Sequence, residues 1–288
     1  MNRFKHLFPV EKMARVLKVS KSSYYYWQGQ KVGKWKQTNA PILHQIQSIH
    51  DNSKQTYGSP RICSELRKQG WTVSRPRVAR LMRQAGIRSM LRKKFVTTTD
   101  STSTVRRFDN LLDRNFASGQ PGRVWVSDIT YIATQQGWSY LTTIIDLGDR
   151  KVIGWQLSRS LQATDTVLPA WRSAVATRPL TGSLIFHSDQ GVQYGCEAFM
   201  DEVSKDKRIT QSMSRKGDCW DNAVAESFFK TLKCEWTNRF NYRDHKQAEL
   251  SLFEYIESFY NTKRAHSSLG YLSPDEYAAQ QLTKTHAA

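Results

Sequence analysis

Apolar residues in residues 1–90 recur every three or four positions, the spacing that places them on one side of an α-helix. This period and its capping residues predict five helices: Val10–Leu17, Lys21–Trp27 after Ser20 as N-cap, Pro41–Asp51, a helix from the N-cap Ser59 and Pro60 to about Gln69, and Arg75–Ala85 between Ser74 and Gly86. A polar, Lys-rich linker, Gln28–Lys36, divides them into a short hairpin and a three-helix group. The first part of the chain is therefore expected to be all-α.

Beyond Gly122 the apolar runs have the length and composition of β-strands. Val124–Ile132, Tyr140–Ile145 and Lys151–Leu157 are separated by turn residues and predict an antiparallel three-stranded meander. The pattern then predicts, in order, the helix Thr164–Thr177, the strand Leu184–His187, the helix Glu197–Ser204, the strand Arg208–Ser212, a helix capped by Asp218 or Asp221 that runs to about Trp236, the helix Asp244–Tyr260 and a last turn opened by the capping box Ser273–Glu276. This is the order of the ribonuclease-H-like α/β fold, a mixed sheet covered by helices.

Charge is distributed unevenly along the chain. Residues 1–122 hold 24 of the 43 Lys and Arg residues with 6 Asp and Glu, whereas residues 123–288 hold 19 of each sign. All of the formal charge of +18 thus lies in the first part, which favours a polyanion such as nucleic acid as partner. A membrane is the weaker alternative, because the sequence has no long apolar span and no signal peptide. Four cysteines without CxxC spacing favour reduced thiols in a cytoplasmic protein.

These patterns predict five segments. Residues 1–36 are expected to form a helical hairpin, 37–90 a helix-turn-helix DNA-binding domain, 91–121 a basic linker, 122–280 the ribonuclease-H-like core with its C-terminal helices, and 281–288 a tail. The linker has no useful period and is expected to be extended, ordering only on nucleic acid.

The candidate DNA contacts are basic side chains of the helix Arg75–Ala85 and of the linker. Val78, Leu81 and Met82 form the apolar side of that helix, which leaves its arginines for the exposed faces. The candidates are Arg75, Arg77, Arg80 and Arg83, followed in the linker by Arg92, Lys93 and Lys94. The alternative is a solvated basic surface without a partner.

Three carboxylates are the candidate catalytic groups. Asp128 interrupts a β-rich apolar run, where a charge is costly unless it is paired or metal-bound. Asp189 directly follows a predicted strand, and Glu226 lies on the helix that ends near Trp236. Each has an ordinary structural alternative, a turn-forming aspartate or a glutamate in an i, i+4 pair with Lys230. Together they suit two hard divalent cations that activate an attacking oxygen and stabilise a leaving oxygen.

Two lysines of the helix that carries Glu226 fall on the same side of that helix as the glutamate. Lys233 and Lys230 are placed to hold a DNA phosphate. His187 is available as a general base, but two-metal chemistry does not require one, so we assign it a structural role.

At these residues the sequence resembles the transposases of insertion sequence family three. The resemblance rests on WxxDITY around Asp128, HSDxGxQY around Asp189, and the long motif SMSxKGxCxDNAxAESFFxxLK that contains Glu226. Tyr57-Gly58-x-x-Arg61-Ile62 resembles the family's helix-turn-helix segment, and residues 260–274 resemble its C-terminal signature. The chain departs from the family pattern by one additional residue between Asp189 and Glu226, expected in Ser204–Arg208, and by Ala265 in place of a frequent proline.

The resemblance implies a DNA transposase whose core is similar to retroviral integrase. Asp128, Asp189 and Glu226 would be its metal-binding catalytic triad and Lys233 its basic residue, with two Mg²⁺ or Mn²⁺ ions. It would cut one strand at the ends of its element by water attack, and the freed 3′-OH would attack another phosphodiester. The implied partners are the terminal repeats, target DNA, further copies of the chain, and an upstream-frame protein or a fusion with it, in a bacterial cytoplasm at the nucleoid.

Two alternatives from the sequence compete with this function. The first is a DNA-binding regulator or fragment with an inactive core, which would bind DNA with a steep salt dependence and would lose nothing detectable with a triad carboxylate. The second is a nuclease acting on RNA–DNA hybrids, which the long basic N-terminal region disfavours because recognition of a hybrid by shape needs no such region.

Overall fold

The computed structural model describes residues 1–29, 34–89, 108–116, 120–216 and 218–286. The chain forms two compact units, Met1–Ser89 and Met90–Ala288. Across these described ranges, no helix has the length and apolar character needed to cross a bilayer.

The first unit is all-α, as predicted. Its helices in the described ranges are α1 (Val10–Val16), α2 (Lys21–Gly29), α3 (Lys34–Asn52), α4 (Ser59–Lys68) and α5 (Arg75–Gln84). The predicted start of α3 at Pro41 was wrong, because proline was taken for a first helical residue whereas the helix already begins at Lys34. The helix accommodates Pro41 although this residue has no backbone N–H to donate. The predicted linker Gln28–Lys36 correspondingly shrinks, and residues 30–33 lie outside the described residues.

The core of the first unit follows the predicted apolar stripes. Each of α3, α4 and α5 contributes residues one helical turn apart that are almost fully buried: Ile42, Ile46, Ile49, Ile62, Leu66, Val78, Leu81 and Met82. A turn with Gly70 at φ +85° joins α4 to α5, and Arg67 donates to the Val73 carbonyl at 3.1 and 3.2 Å across that turn. The result is a helix-turn-helix pair whose second helix, α5, carries the arginines.

The second unit is built on a five-stranded mixed sheet. Its strands are β1 (Val124–Thr134), β2 (Gly137–Asp146), β3 (Val152–Ser158), β4 (Leu184–Ser188) and β5 (Ile209–Met213). Their order in the sheet is β3-β2-β1-β4-β5, with antiparallel pairing among the first three and parallel pairing from β1 to β4 and from β4 to β5. The predicted meander is confirmed, and the topology is ribonuclease-H-like.

Helices α6 (Val167–Thr177) and α7 (Glu197–Ser204) cover one face of the sheet. Trp171 of α6 contacts Trp125, Phe186 and Phe199 with ring centroids 5.2 to 6.2 Å apart. Helix α6 lies so close to β3 that a Cβ on Gly154 would come within 2.3 Å of the Ala170 carbonyl oxygen. This aromatic core fixes β1 and β4 against each other, and these are the strands that carry the two candidate aspartates.

The remaining helices are α8 (Ala223–Glu235), α9 (His245–Tyr255) and α10 (Pro274–His286), and α9 continues as a π-helical turn over Ile256–Tyr260. The predicted capping box is confirmed, since Ser273 N donates to Glu276 Oε2 at 2.7 Å and Glu276 N donates to Ser273 Oγ at 3.2 Å. It opens a helix of 13 residues instead of a single turn. That helix extends into the predicted tail 281–288.

Residues 108–116, part of the predicted linker, contact the core of the second unit. Leu111 N donates to Ser212 Oγ at 2.9 Å, Leu112 is buried, and Arg150 donates to the Phe116 carbonyl at 2.8 Å. The expectation that the linker orders only on nucleic acid stays a prediction. The linker residues Arg92, Lys93 and Lys94 lie outside the described residues.

Candidate active site

Asp128 and Asp189 emerge side by side from neighbouring strands. Strands β1 and β4 are parallel, and Ser127 is the register partner of Ser188. Each aspartate directly follows one of these partners, so the two are adjacent at a strand spacing of about 5 Å. Asp128 Oδ1 accepts from Ile129 N at 2.8 Å, and Asp189 Oδ1 accepts from Gly191 N at 3.0 Å. The register thus brings together two carboxylates that are 61 positions apart in the sequence.

The electrostatics of the two aspartates show that they share one environment. Burial raises the pKa of Asp128 well above its usual value, and the charges of Asp189 and Glu226 raise it further, against the Ile129 N–H and the Lys233 ammonium. Burial also raises the pKa of Asp189, against the hydrogen bond from Gly191 N. A cation placed among these groups would reverse the penalty for their ionisation.

Helix α8 supplies the third carboxylate and the lysines. Asn222, the residue before α8, is buried, and its Nδ2 donates to the Ser127 carbonyl at 3.0 Å, which fixes the start of the helix beside Asp128. Burial raises the pKa of Glu226, Asp189 raises it further, and Lys230 opposes both. Burial lowers the pKa of Lys233, while Asp128 opposes that shift. The three predicted carboxylates and the two predicted lysines therefore interact electrostatically with one another.

The donors at this site fit a hard divalent cation by their chemistry. All three are carboxylates, and Thr143 Oγ1 and Asn222 Oδ1 are buried without a hydrogen-bond partner among the described residues. Thr143 is the register partner of Asp128 on β2, so its free oxygen lies beside that carboxylate. Water that a cation such as Mg²⁺ retains can satisfy such oxygens. In the described ranges, however, no three His, Cys, Asp or Glu side chains are gathered closely enough to hold an ion as they stand.

His187 occupies a structural position. It is fully buried, its Nδ1 lies 2.9 Å from Ser212 Oγ, and its Nε2 lies 3.2 Å from Ser214 Oγ. Burial lowers its pKa to about 4, partly offset by Asp221. Both ring nitrogens are engaged with serine hydroxyls of β5 and the residue after it, in agreement with the structural role assigned from the sequence.

An ionic network around Asp221 fixes the turn before α8, and it is not apparent in the sequence. Asp221 is fully buried and accepts from Arg215 Nε at 2.9 Å, Arg215 Nη2 at 2.8 Å and Arg114 Nε at 3.0 Å. These bonds, those of Arg215 above all, hold the pKa of Asp221 well below its usual range. Asp218, which also pairs with Arg114, caps the 3₁₀ turn Cys219–Asn222 through Trp220 N. The alternative that Asp221 caps α8 was therefore wrong.

Tyr194 is a second group that the sequence did not single out. Its hydroxyl lies 2.8 Å from Ser127 Oγ, and both residues are buried. Burial raises the Tyr194 pKa well above its usual value, and Asp189 and Asp128 raise it further, so the hydroxyl stays protonated beside the site. Tyr194 is the last residue of the motif HSDxGxQY, and its place in that motif was the feature of the sequence that could have indicated a role at the site.

Residues of the C-terminal signature form hydrogen bonds and an ion pair with α8 and β3. Arg264 is buried and donates from Nε and Nη2 to the two oxygens of Glu235, each at 2.7 Å. Asn261 accepts from Val152 N at 3.0 Å and donates to the Val152 carbonyl at 2.9 Å. These motif residues serve the architecture of the core that carries the site.

On α5 the structure separates Arg77 from the other arginines. Arg75, Arg80 and Arg83 are exposed, whereas Arg77 is half-buried and its Nε donates to Asn39 Oδ1 at 2.9 Å. A surface helix with three exposed arginines remains in the first unit.

Family models match both units. The model "Integrase core domain" matches residues 118–219, a second model of that description matches residues 207–274, and "HTH-like domain" matches residues 36–95. The chain is 37% identical over 262 residues to the "Insertion element IS600 uncharacterized 31 kDa protein" of Shigella sonnei, covering 91% of this chain and 96% of that protein. It is 35% identical over 277 residues to "Transposase InsF for insertion sequence IS3A" of Escherichia coli strain K12, covering 96% of each.

Solved structures give weaker likenesses. The HTLV-2 integrase catalytic core domain in complex with magnesium matches at a TM-score of 0.42 and 14% identity, over 55% of this chain and 97% of that chain. The catalytic domain of the Mos1 mariner transposase matches at a TM-score of 0.41 and 13% identity, over 48% of this chain and 71% of that chain.

Proposed function

The chain belongs to the IS3 family of DNA transposases, enzymes of the DDE polynucleotidyl transferase type, and we propose that Asp128, Asp189 and Glu226 are its catalytic carboxylates. The observation that carries this assignment is the register of β1 and β4, which sets the two aspartates side by side. Asn222 then ties α8, which carries Glu226, to the strand of Asp128. The three carboxylates thus come from three elements that the fold holds together.

A divalent metal requirement comes with the family, and we propose that these three carboxylates hold two Mg²⁺ ions. Bound there, the ions would polarise the scissile phosphodiester and lower the pKa of the attacking hydroxyl. The aspartates are fixed for this task by hydrogen bonds from Ile129 N and Gly191 N. Burial first, and the neighbouring carboxylates second, raise the pKa values of Asp128 and Glu226, and a bound cation would offset both effects by stabilising the ionised forms.

The lysines of α8 are proposed to bind the DNA backbone. Lys230 is exposed and lies near Glu226, and Lys233 is partly buried near Asp128. Ammonium groups in these positions can orient the phosphates that flank the scissile bond. With both nitrogens of His187 bonded to serines, the chain's own contribution to the reaction is positioning and charge.

DNA binding follows from the family and from the HTH-like unit, and we propose α5 as the helix that reads the terminal repeat. Its exposed Arg75, Arg80 and Arg83 can contact phosphates and base edges in the major groove. We assign Arg77, which donates to Asn39, to positioning of that helix. The terminal repeats and target DNA are the proposed substrates, and further copies of the chain and an upstream-frame protein the proposed partners.

The experiment is strand cleavage and joining on the element's own end in Mg²⁺, comparing wild type with Glu226→Gln. The substitution keeps the shape and removes a charged ligand. A metal ligand contributes several kcal/mol to the transition state, so the rate is expected to fall by about 100-fold or more. Glu249→Gln, an exposed glutamate of α9, is the matched control and is expected to keep full activity.

Equal activity in wild type and Glu226→Gln would remove Glu226 from the chemistry. Inactivity of the wild type, persisting after addition of the upstream-frame protein while DNA binding is intact, would favour the DNA-binding protein with an inactive core.

A further inference from the structure

Trp220 is a large apolar side chain held in solvent. It is 68% exposed, whereas Trp125, Trp171 and Trp236 of the same unit are at most 4% exposed. Leaving an indole in water forgoes the stabilisation that its burial would give. An exposed tryptophan can be incidental, so its surroundings decide what it does.

The turn that carries Trp220 holds the indole outward. The residue after it, Asp221, is drawn into the protein by Arg215 and Arg114, and the next residue, Asn222, is buried against the Ser127 carbonyl. On the other side, Asp218 accepts from Trp220 N at 3.3 Å and pairs with Arg114. Because the backbone is fixed on both sides, Trp220 cannot exchange places with its buried neighbours. Its exposure is imposed by the network.

The position of this turn places the backbone of Trp220 close to the candidate active site. Trp220 is two residues from Asn222, so their Cα atoms are at most about 7.6 Å apart. Asn222 contacts Ser127, the residue before Asp128, and begins the helix that carries Glu226. Exposed Lys216 precedes the turn in sequence, exposed Lys230 lies on α8, the helix that follows the turn, and both supply positive charge for phosphates. An exposed aromatic ring and exposed cations on neighbouring segments are the two features that bind single-stranded nucleic acid, with the base stacked on the ring and the backbone held by charge.

We propose that Trp220 stacks on an unpaired nucleobase next to the scissile phosphate, in the element end or in the target strand. This inference rests on the proposed function of the neighbouring carboxylates. The stacked base would keep the strand from sliding along the site and would stabilise DNA that has opened locally around the bond to be cut. Trp220 is thus a positioning residue for the DNA and takes no part in bond making.

The test combines protein variants with DNA that lacks a base. The variants are Trp220→Ala, Trp220→Phe and, as matched control, Trp138→Ala at a second tryptophan that is 59% exposed on β2. Each is assayed for cleavage on the natural end and on ends with an abasic nucleotide at successive positions around the cleavage site. Joining to targets with abasic positions forms the second arm and distinguishes a base of the target from a base of the element end.

On natural DNA, Trp220→Ala is expected to lower the rate by about 5- to 150-fold, the range of one lost base stack. Trp220→Phe is expected to keep most of the activity and Trp138→Ala all of it. At one abasic position the wild type should lose the same factor, and Trp220→Ala should lose nothing more. The proposal would be overturned if, at every position in both arms, the abasic nucleotide slowed Trp220→Ala by the same factor as it slows the wild type. Wild-type activity in Trp220→Ala on natural DNA would also overturn it.

A binding measurement separates this proposal from the assignment of the catalytic residues. In the Glu226→Gln background, DNA carrying 2-aminopurine at the critical position should change its fluorescence on binding only when Trp220 is present. A signal that is the same with Trp220→Ala would overturn the stacking role, whatever the result of the cleavage assay.

Discussion

The hydroxyl groups of Tyr194 and Ser127 join the loop after β4 to the middle of β1, at a distance of 2.8 Å. Asp128 follows Ser127 within β1, Asp189 follows the last residue of β4, and both hydroxyls are buried. A buried hydroxyl that loses its only partner carries the full cost of its removal from water. Loss of either hydroxyl is therefore expected to lower the stability of the protein.

Replacing Tyr194 by Phe removes this hydrogen bond and leaves Ser127 Oγ buried. We expect the free energy of unfolding to fall by about 1–3 kcal/mol, as measured by urea denaturation. Tyr140→Phe, on the half-exposed Tyr140 of β2, makes the same chemical change and is expected to leave stability within about 0.5 kcal/mol. Equal losses in the two variants would show that the Tyr194 hydroxyl has no special role.

At the residue scale, the sequence predicts the groups that its patterns can place. Asp128 and Asp189 stand out because a charge in or after an apolar strand needs a reason, and Glu226 because it repeats with the lysines at helical spacing. The bonds of Asp221 could not be predicted, since Arg114 is 107 positions away and the intervening fold decides their meeting. Arg77 is indistinguishable from its neighbours on α5 until Asn39 is seen beside it.

At the scale of elements, the orientation of α8 depends on the C-terminal signature. Glu235 at the end of α8 receives both bonds of Arg264, and the Tyr255 hydroxyl donates to the same carboxylate at 3.1 Å. His266 Nε2 lies 3.3 Å from Arg264 Nη1 and 3.1 Å from the Tyr260 hydroxyl, which extends the network. The end of α8 opposite to Asn222 is thus fixed by a buried ion pair.

Removing one partner of this pair is expected to be costly. Arg264→Ala leaves the Glu235 carboxylate buried without its cation, and we expect the free energy of unfolding to fall by about 3–5 kcal/mol. Arg208→Ala breaks the exposed pair with Asp206 and is expected to change the free energy of unfolding little, because water screens that pair. Thermal and urea unfolding of both variants provide the comparison.

A double variant tests whether the loss in Arg264→Ala comes from the unpaired Glu235 carboxylate. Arg264→Ala combined with Glu235→Leu removes both charges and is expected to regain part of the lost stability, since no unpaired charge then remains. A loss no larger than that of Arg208→Ala would contradict the role given to this pair.

The elements themselves were largely predictable from periodicity, but local departures were not. The helix predicted over Asp244–Tyr260 ends in a π-helical turn at Ile256–Tyr260. Such a turn adds a residue relative to α-helical spacing and so rotates the side chains that follow it. Asn261, the next residue, bonds to both backbone groups of Val152 in β3. A tertiary contact of this kind leaves no trace in hydrophobic spacing.

At the scale of the whole molecule, the two units divide the functions of the protein by charge. The positive excess lies in residues 1–122, and the unit with the candidate carboxylates is nearly balanced. Affinity that depends on phosphate contacts falls steeply with salt, by a slope of about 0.9 for each contact on a log–log scale. The division therefore predicts which substitutions change the salt dependence of binding.

Replacing Arg75, Arg80 and Arg83 together by Ala is expected to lower that slope by up to about 2.7, if each arginine neutralises one phosphate. The selectivity for the element end over random DNA should fall as well where an arginine reads a base. Fluorescence anisotropy over a range of salt concentrations measures both quantities. Arg77→Ala is the control and is expected to leave the slope unchanged, because that guanidinium is bonded within the unit. An unchanged slope and selectivity in the triple variant would exclude α5 as the DNA-reading helix.

The bonds between Asn261 and β3 have a consequence for the protein in solution. Strand β3 is an edge of the sheet, and an exposed edge is a template on which another chain can add a strand. At Val152 both backbone groups are already taken by the Asn261 amide, which behaves there like a strand of one residue. The amide thus guards the molecule against sheet extension and aggregation at this point.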